Sequence, residues 1–597
     1  MQKIVIDTET YHDYFLLSCL NIETGNVRHF EFYDGQPLDV KTIKQIMTRC
    51  TTISFNGLGF DLPVLAGALN KGYSVKQIKK LADRIIKENK PSWLVCKELG
   101  LYIPKNWDHI DLIEVAPGQS SLKIYGGRLH APKLQDLPIE PDASISPEQR
   151  KLMRDYCVND LETTALLYSK LEKQVALRVS MSEQYGVDLR SKSDAQIAET
   201  VIKSELQKMT GEYYGKTELP SNTKFRYQNP HIINYETEQL KDIFTKVLSL
   251  DFKLGANGSV KMPQELADAK ITIGNSVYNM GIGGLHSCEK SQYVHADSEH
   301  ILMDVDVASY YPSIILQQQL APKSLGQPFL EVYQSIVTRR LQAKREGDKV
   351  TADTLKICVN GSFGKLGSKW SALYAPDLLI QTTITGQLAL LMLIEKLEAQ
   401  GISVISANTD GVVIYTKKDR LDDLRNVCFN WMLDTSYELE ETHYRCIASR
   451  DVNSYVAVTT DGEAKRKGAF AGGGLAKNPD CAIAYDAVAA FLADGVPVEQ
   501  TVNNCDDMSK FVLVRRVTGG ALWKGQYLGK AVRFYYSDDF ANSAQIDYAK
   551  NGNKVSKSDG CRPIMDLSDT LPTDIDRPRY IDMARKLLVE VGYNARA

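Results

Sequence analysis

The sequence predicts a multidomain protein of mixed α/β and α+β class. Three observations carry that expectation. The chain has 597 residues, enough for about three to five domains of ordinary size. Residues 1 to about 170 alternate strand-like runs ("KIVIDT", "TTISFN") with amphipathic stretches such as "KQIKKLADRIIKEN", the pattern of an α/β domain. A second strand-rich segment begins near Ile271, passes through "GIGGLHS" and "ILMDVDVASYYPSIIL", and resumes at "GISVISANTDGVVIY", with helical patterns at 329–346, 352–360 and 377–400 between its halves. Residues 171–210 read as mostly helical, and a polar stretch with Pro220, Asn222, Asn229 and Pro230 reads as a connector. Short strands, then mixed helix and loop, follow residue 450.

Composition sets broad limits. With 43% hydrophobic and 24% charged residues, the chain is an ordinary globular sequence able to bury several cores. No run of 18 or more apolar residues is read from the sequence, so neither a membrane span nor a membrane partner is expected. The start, "MQKIVIDTET", enters a strand without a signal-peptide pattern. The 11 cysteines include no C-x-x-C pair, so a zinc ribbon or iron–sulfur site is not expected and a reducing cytoplasm is. The net charge of −3 argues only weakly against nucleic acid, because a basic groove is compatible with an acidic remainder. Arg339-Arg340 with Lys344-Arg345, and Lys465-Arg466-Lys467, are local basic clusters; taken singly, each reads as solvated surface.

In the first domain, "IVIDTET" ends a buried-looking strand with Asp7 and Glu9, two apart and therefore on one strand face. In "SFNGLGFDLPVL", Asn56-Gly57 reads as a turn, and Asp61 stands at a helix start where the bland reading is an N-cap. "MRDYCVNDLETTALLY" is a helix with Tyr156 and Asp160 on one face. Four carboxylates and a tyrosine drawn from three elements suit a two-metal hydrolytic site. Mg²⁺ takes hard oxygen ligands and leaves positions for phosphate.

A second constellation follows. "ILMDVDVASYYPSIIL" is an apolar run broken by Asp304 and Asp306, carboxylates that a buried strand would not keep without partners. Arg340 and Lys344 share one helix face, and Lys356, Asn360 and Gly364 share another. "SANTDGVVIY" reads as a β-hairpin with Asn408-Thr409-Asp410-Gly411 at its tip.

These groups carry a family resemblance. Asp7-x-Glu9, Asn56-x-x-x-Phe60-Asp61 and Tyr156-x-x-x-Asp160 resemble the three motifs of DnaQ-like (RNase H-like) 3′–5′ proofreading exonucleases, in the order and tyrosine variant of family B DNA polymerases. Asp306-x-x-Ser309-Tyr310-Tyr311-Pro312 resembles polymerase motif A of that family, Lys356 to Gly364 motif B, and Thr409-Asp410 motif C. "GIGG" resembles the element joining the two activities, with Gly283 and Gly284 retained. "ITGQ" and "NSYVAV" followed by Lys467 resemble two further elements. The sequence departs from the family pattern at Ile282, Gly361, Phe363, Gln387, Asn408 and Asn453.

The resemblance implies an RNase H-like exonuclease domain (1–170), a helical connector (171–270), and a right-hand polymerase. The last comprises a palm with an antiparallel sheet (271–328 and 375–450), short helical fingers (329–374), and a primer-holding region and thumb (451–597). It implies a compact bacteriophage-type enzyme that extends a DNA primer on a template and proofreads. Asp306, Val307 and Asp410 would hold metal at one site, and Asp7, Glu9, Asp61 and Asp160 at the other, with Tyr156 orienting water. Two Mg²⁺ per site are implied, with Mn²⁺ as a substitute. Ser309, Tyr310, Tyr311, Arg340, Lys344, Lys356 and Asn360 would take the nucleotide. Asn56, Phe60, Gly283, Gly284, Gly364, Thr409, Tyr455 and Lys467 would meet DNA. The implied partners are primer–template DNA, dNTPs and a processivity factor or other replisome proteins. A monomer in a bacterial host cytoplasm is expected. The stretch between motifs A and B lacks the insertion of protein-primed relatives, so nucleic-acid priming is expected, with protein priming as the alternative and a polymerase-inactive, DNA-binding exonuclease behind it. The chain enters its first motif at Asp7, so the N-terminal domain of larger members, with any uracil-sensing pocket, is expected to be missing.

Overall fold

The computed structural model describes residues 1–568 and 570–594. The chain folds into two compact units, and both mix helices and sheets. The first contains residues 1–193, 473–483 and 504–580, and the second residues 194–472, 484–503 and 581 onward.

The first unit opens with five strands, β1 (Lys3–Thr10), β2 (Tyr14–Asn21), β3 (Val27–Tyr33), β4 (Thr51–Ser54) and β5 (His109–Asp111). Their order is β3-β2-β1-β4-β5, antiparallel among the first three and parallel from β1 to β5. Helices α1 (Asp61–Asn70), α2 (Leu122–Arg128) and α3 (Pro147–Lys170) belong to the same unit. Ser146 starts α3 with a reciprocal capping box to Gln149, and Pro147 occupies the first turn. β1 buries Val5 and Ile6 and ends in half-buried Asp7 and Glu9.

The second unit begins with α4 (Asp194–Thr210) and centres on a ten-stranded sheet. Its strands are β6 (Ile271–Ile273), β7 (Ser276–Met280), β8 (Leu285–Ser287), β9 (Gln292–His295), β10 (His300–Val307), β11 (Ser403–Asn408), β12 (Gly411–Lys417), β13 (Leu439–Asp451), β14 (Ser454–Thr459) and β15 (Ala464–Arg466). The order is β15-β14-β13-β10-β12-β11-β8-β7-β6, with β9 paired to β13. Along β10, Met303, Val305 and Val307 are buried on one face, and the strand's period of two puts Asp304 and Asp306 on the other. Helix α5 (Tyr310–Gln317) follows β10 directly. Then α6 (Gly326–Glu346) and α7 (Lys349–Leu366) form a helical hairpin. Gly347, at φ 75°, ends α6, and the Asp348 carboxylate caps α7 by accepting from Thr351 N–H at 3.1 Å.

Helix α8 (Pro376–Ala399) forms where the sequence pattern places it. It is long and apolar enough to cross a membrane by length and composition, but 83% of its apolar window is buried inside the fold. Ile384, Leu388, Leu391 and Met392 sit in one core with Met303, Val305 and Val412. A predominantly apolar helix is what a core position under a sheet requires, and its buried Gln381, Gln387 and Glu395 are hydrogen-bonded.

The division of the chain also differs from the expected one. The first unit runs to residue 193 rather than 170, and the stretch expected as a helical connector contains a small sheet of Lys224–Arg226, Asp251–Leu254 and Val260–Lys261. Residues 451–597 are not one region: 473–483 and 504–580 belong to the first unit. There β16 (Leu513–Trp523), β17 (Gln526–Tyr536), β18 (Ile546–Tyr548) and β19 (Cys561–Pro563) form a sheet in the order β18-β16-β17-β19.

The physical reason is a buried cation. Arg533 on β17 is fully buried, and its guanidinium donates to the carbonyls of Ile564 (2.8 Å), Ala131 (2.8 Å), Pro132 (3.2 Å) and Met565 (3.0 Å). One side chain therefore ties the late sheet to the segment after α2. Replacing Arg533 with Met leaves those carbonyls without their donor and is expected to destabilise the first unit by about 3–5 kcal/mol; denaturant titration checks this.

A second expectation concerns acid. His109 on β5 is buried between the hydroxyls of Thr52 (2.8 Å) and Ser54 (3.0 Å), and burial pushes its pKa down to about 4. A depressed folded pKa contributes stability above the unfolded value near 6.5, lost as pH falls through about 4. The loss is expected to reach on the order of 3 kcal/mol, and His109→Gln should flatten this part of the pH–stability curve.

Two candidate carboxylate centres

The first centre is built where β1 ends. Asp7 and Glu9 share a face of β1, and Asp160 reaches them from α3. One carboxylate oxygen of each lies within 4.8 Å of the others. The expected fourth member, Asp61, starts α1 as the sequence indicated, but it is buried and receives the Thr8 hydroxyl at 2.5 Å. Burial pushes Asp7 well above the ordinary carboxylate range, reinforced by the charges of Asp61, Glu9 and Asp160. Glu9 rises to about 8 through burial and then Asp160, and Asp61 to about 7 through burial, opposed by the Thr8 hydrogen bond. Crowded, dehydrated carboxylates of this kind fit a hard divalent cation, which would relieve their repulsion.

Two neighbours of this centre were not singled out in the sequence. Lys123 of α2 donates to the Tyr156 hydroxyl at 2.5 Å and to the Gln135 carbonyl at 2.9 Å, and its charge lowers the pKa of Glu9 and Asp160. The Cys157 thiol points at Asp7 Oδ2, 3.3 Å away. Tyr156 is buried, so the ring is held rather than free at the rim. Asn56 takes a left-handed turn (φ 67°), and the loop is held by Asp111, which accepts from Asn56 N–H (2.8 Å) and Leu58 N–H (2.9 Å). Phe60 stands at the N-cap of α1.

The second centre lies on the ten-stranded sheet. In the register of β10 with β12, Asp306 faces Gly411; with β13 it faces Glu440. The β11–β12 hairpin forms as expected, with Asn408 opposite Gly411 and only Thr409 (φ 55°) and Asp410 between them. Two backbone bonds hold the tip: Val307 N–H donates to Asp410 O (2.7 Å), and Thr409 N–H to Leu285 O (2.8 Å). A cleft of about 730 Å³ takes in Asp304, Asp306, Asn408, Asp410, Tyr455 and Lys467. Burial lifts Asp306 to about 7, reinforced by Asp304 and Asp410; burial also lifts Asp410. Asp304 shares this face and accepts the Tyr444 hydroxyl at 2.7 Å. Asp306 and Asp410, raised by burial and open to the cleft, are hard oxygen donors of the kind a divalent cation takes.

Beside it, a pocket of about 210 Å³ is lined by Val307, Ser309, Tyr311, Asn360, Phe363 and Asp410, among others. Tyr311 stacks on Phe363 with ring centroids 4.3 Å apart and donates to the Gly283 carbonyl at 2.7 Å. Arg340 donates to Ser309 Oγ at 3.0 Å, and Lys344 pairs with Glu440 at 3.5 Å. Lys356 and Gly364 are exposed on α7. Two further expected contact residues have their own anchors. The Tyr310 side chain is buried and donates to the Gly386 carbonyl at 2.6 Å, and Gly284 is buried against Thr409. Tyr310 and Tyr311 both line the pocket at the start of α5, with Tyr310 buried in the core and Tyr311 packed at its edge.

The departures from the motif pattern have local causes. A Cβ on Gly361 would come within 2.8 Å of both Asp194 O and the Ala198 side chain, so α4 packs on α7 only with glycine there. Gln387 donates to Gly281 O (2.8 Å) and accepts from Gly281 N–H (3.0 Å), fixing the "GIGG" loop. Asn408 and Asn453 face each other, amide to amide, at 3.5 Å.

No family model matches the chain. Over 137 residues it is 31% identical to DNA polymerase II of Escherichia coli (strain K12); that match covers 19% of this chain and 18% of the relative's length. A solved structure of the family B DNA polymerase from the hyperthermophilic archaeon Pyrobaculum calidifontis aligns with 100% of this chain and 78% of its own, at 13% identity and a TM-score of 0.43. The curated match bears out the resemblance to DNA polymerases carried by the motifs.

The cross-strand position of Gly411 gives a test of the second centre. A Cβ there would stand 2.0 Å from Asp306 Oδ1. Gly411→Ala is therefore expected to displace that carboxylate and lower Mn²⁺ affinity at this centre by about tenfold or more, with the first centre unchanged, as read by Mn²⁺ titration in electron paramagnetic resonance.

Proposed function

We propose that this chain is a family B DNA polymerase of compact phage type, extending a nucleic-acid primer on a DNA template and proofreading with a 3′–5′ exonuclease. The observation that carries the reading is the convergence of Tyr311, Asn360, Phe363 and Asp410, distant in sequence, around one small pocket, with Asp410 shared by the adjoining cleft that holds Asp306. The first unit's leading sheet is read as the RNase H-like exonuclease. The ten-stranded sheet is read as palm, the α6–α7 hairpin as short fingers, and the later segments as primer-holding region and thumb.

In this reading Asp306 and Asp410, with Val307 beside them, hold the divalent cations of synthesis; Asp7, Glu9, Asp61 and Asp160 hold those of proofreading. Mg²⁺, or Mn²⁺ in its place, would supply charge neutralisation and Lewis acidity at both. Arg340, Lys344 and Lys356 bind the triphosphate, with Lys344 exchanging Glu440 for phosphate oxygens. Tyr311, stacked on Phe363, sits under the sugar and leaves no room for a 2′-hydroxyl. The primer 3′ oxygen bonds to the α-phosphorus, and pyrophosphate leaves. Tyr455 and Lys467 line the neighbouring cleft, placed to hold the primer strand. In the first unit, Tyr156 orients the water that cleaves a frayed 3′ nucleotide. Replication of phage or mobile-element DNA in a bacterial cytoplasm, as a monomer aided by a processivity partner, completes the proposal.

Primer extension with labelled DNA and Mg²⁺ tests it. The wild-type protein should extend primers when nucleotides are present and shorten their 3′ ends when they are absent. Asp410→Asn should abolish extension, Asn408→Ala should only weaken it, and Asp7→Ala should stop shortening alone. Absence of extension by the wild type on several primer–templates sinks the reading.

A further inference from the structure

Trp370 is 68% exposed and Tyr213 is 80% exposed. A single exposed ring is ordinary on a protein surface, and Trp93 and Tyr102 are as open; what sets Trp370 and Tyr213 apart is the lysines gathered over them. Trp370 lies four residues beyond the end of α7, the helix that presents Val359, Asn360 and Phe363 to the pocket. Tyr213 lies three residues beyond the end of α4, which packs against α7 at Gly361. The two post-helical segments meet at Trp370: Lys216 and Lys369 place their ammonium groups 5.1 and 5.2 Å from its ring centroid. Lys203 sits 5.0 Å from the Tyr213 ring. The loop that holds Trp370 is fixed, since Glu199 of α4 accepts from Ala372 N–H at 2.9 Å and pairs with Lys365 at 3.4 Å.

Exposed rings with lysines beside them have the chemistry of a single-strand platform. Every base offers a face to stack, and cations follow the phosphates. A lysine over an exposed ring is held more weakly than a stacked base. An arriving base therefore displaces it, and the freed ammonium reaches the adjacent phosphate. Position narrows the strand. From Asn360 to the end of α7 is on the order of 9 Å at 1.5 Å per residue, about the span of two to three nucleotides. Gly364, exposed and with no atom within 4 Å of its would-be Cβ, leaves that helix face open between them.

We propose that Trp370 and Tyr213, with Lys203, Lys216 and Lys369, form a stacking platform for the unpaired template strand just ahead of the nucleotide pocket. The inference rests on the polymerase reading above, and its test separates the two. Oligo(dT) should quench Trp fluorescence saturably in the wild type. Trp370→Leu should remove that quenching and weaken oligo(dT) binding about fivefold or more, whereas Trp370→Phe should retain most of the affinity. In extension assays, Trp370→Leu should raise KM on long template overhangs relative to KM on a one-nucleotide overhang. Unchanged oligo(dT) affinity in Trp370→Leu, or an equal KM rise on both substrates, overturns the platform. A wild type that binds oligo(dT) through Trp370 but extends no primer overturns the polymerase reading and leaves the single-strand platform supported.

Discussion

Each candidate centre must hold like charges together in a partly dry place. At the second, burial lifts the pKa of Asp304, Asp306 and Asp410; Asp304 and Asp410 add to the rise of Asp306, and Asp304 to that of Asp410. Such a cluster disperses unless the backbone forbids it. Here the backbone does so by sheet register. Asp306 is locked opposite Gly411, and the hairpin tip is bound to both Val307 and Leu285. Tyr444 takes up Asp304, so one carboxylate is bonded on the protein side. The first centre meets the same demand with a different sheet. β1 supplies Asp7 and Glu9, α3 supplies Asp160, and Thr8 and Lys123 absorb part of the charge.

From that requirement follows much of the surrounding packing. The strand presenting Asp306 on one face buries Met303, Val305 and Val307 on the other, which calls for an apolar partner. Helix α8 is that partner, and its length and apolarity reflect a central position beneath the sheet rather than a lipid environment. Gln387 on the same helix also fixes the loop whose Gly283 carbonyl receives Tyr311. Core and site are thus connected through single hydrogen bonds.

The departures from the family pattern are better understood as local solutions than as losses. Gly361 admits α4 against α7. Asn408 and Asn453, where the pattern has an acid and a base, are adjacent and both neutral, so the cleft changes little in net charge. Phe363 has no hydroxyl to place, and its ring still stacks on Tyr311.

Much of this was legible in the sequence because it depends on short-range geometry. Residues two apart share a strand face and residues four apart a helix face. That placed Asp7 with Glu9, Tyr156 with Asp160, and Lys356 with Asn360. Turn chemistry placed the hairpin at Thr409-Asp410. Tertiary structure alone decided what meets across the chain. It withdrew Tyr310 into the core, tied Asp61 to Thr8, brought Lys123 to Tyr156, returned residues 504–580 to the first unit through Arg533, and left Trp370 exposed. The reason is physical. Local periodicity fixes which way a side chain points, whereas burial and long-range hydrogen bonds depend on partners tens to hundreds of residues away, and no short pattern encodes those.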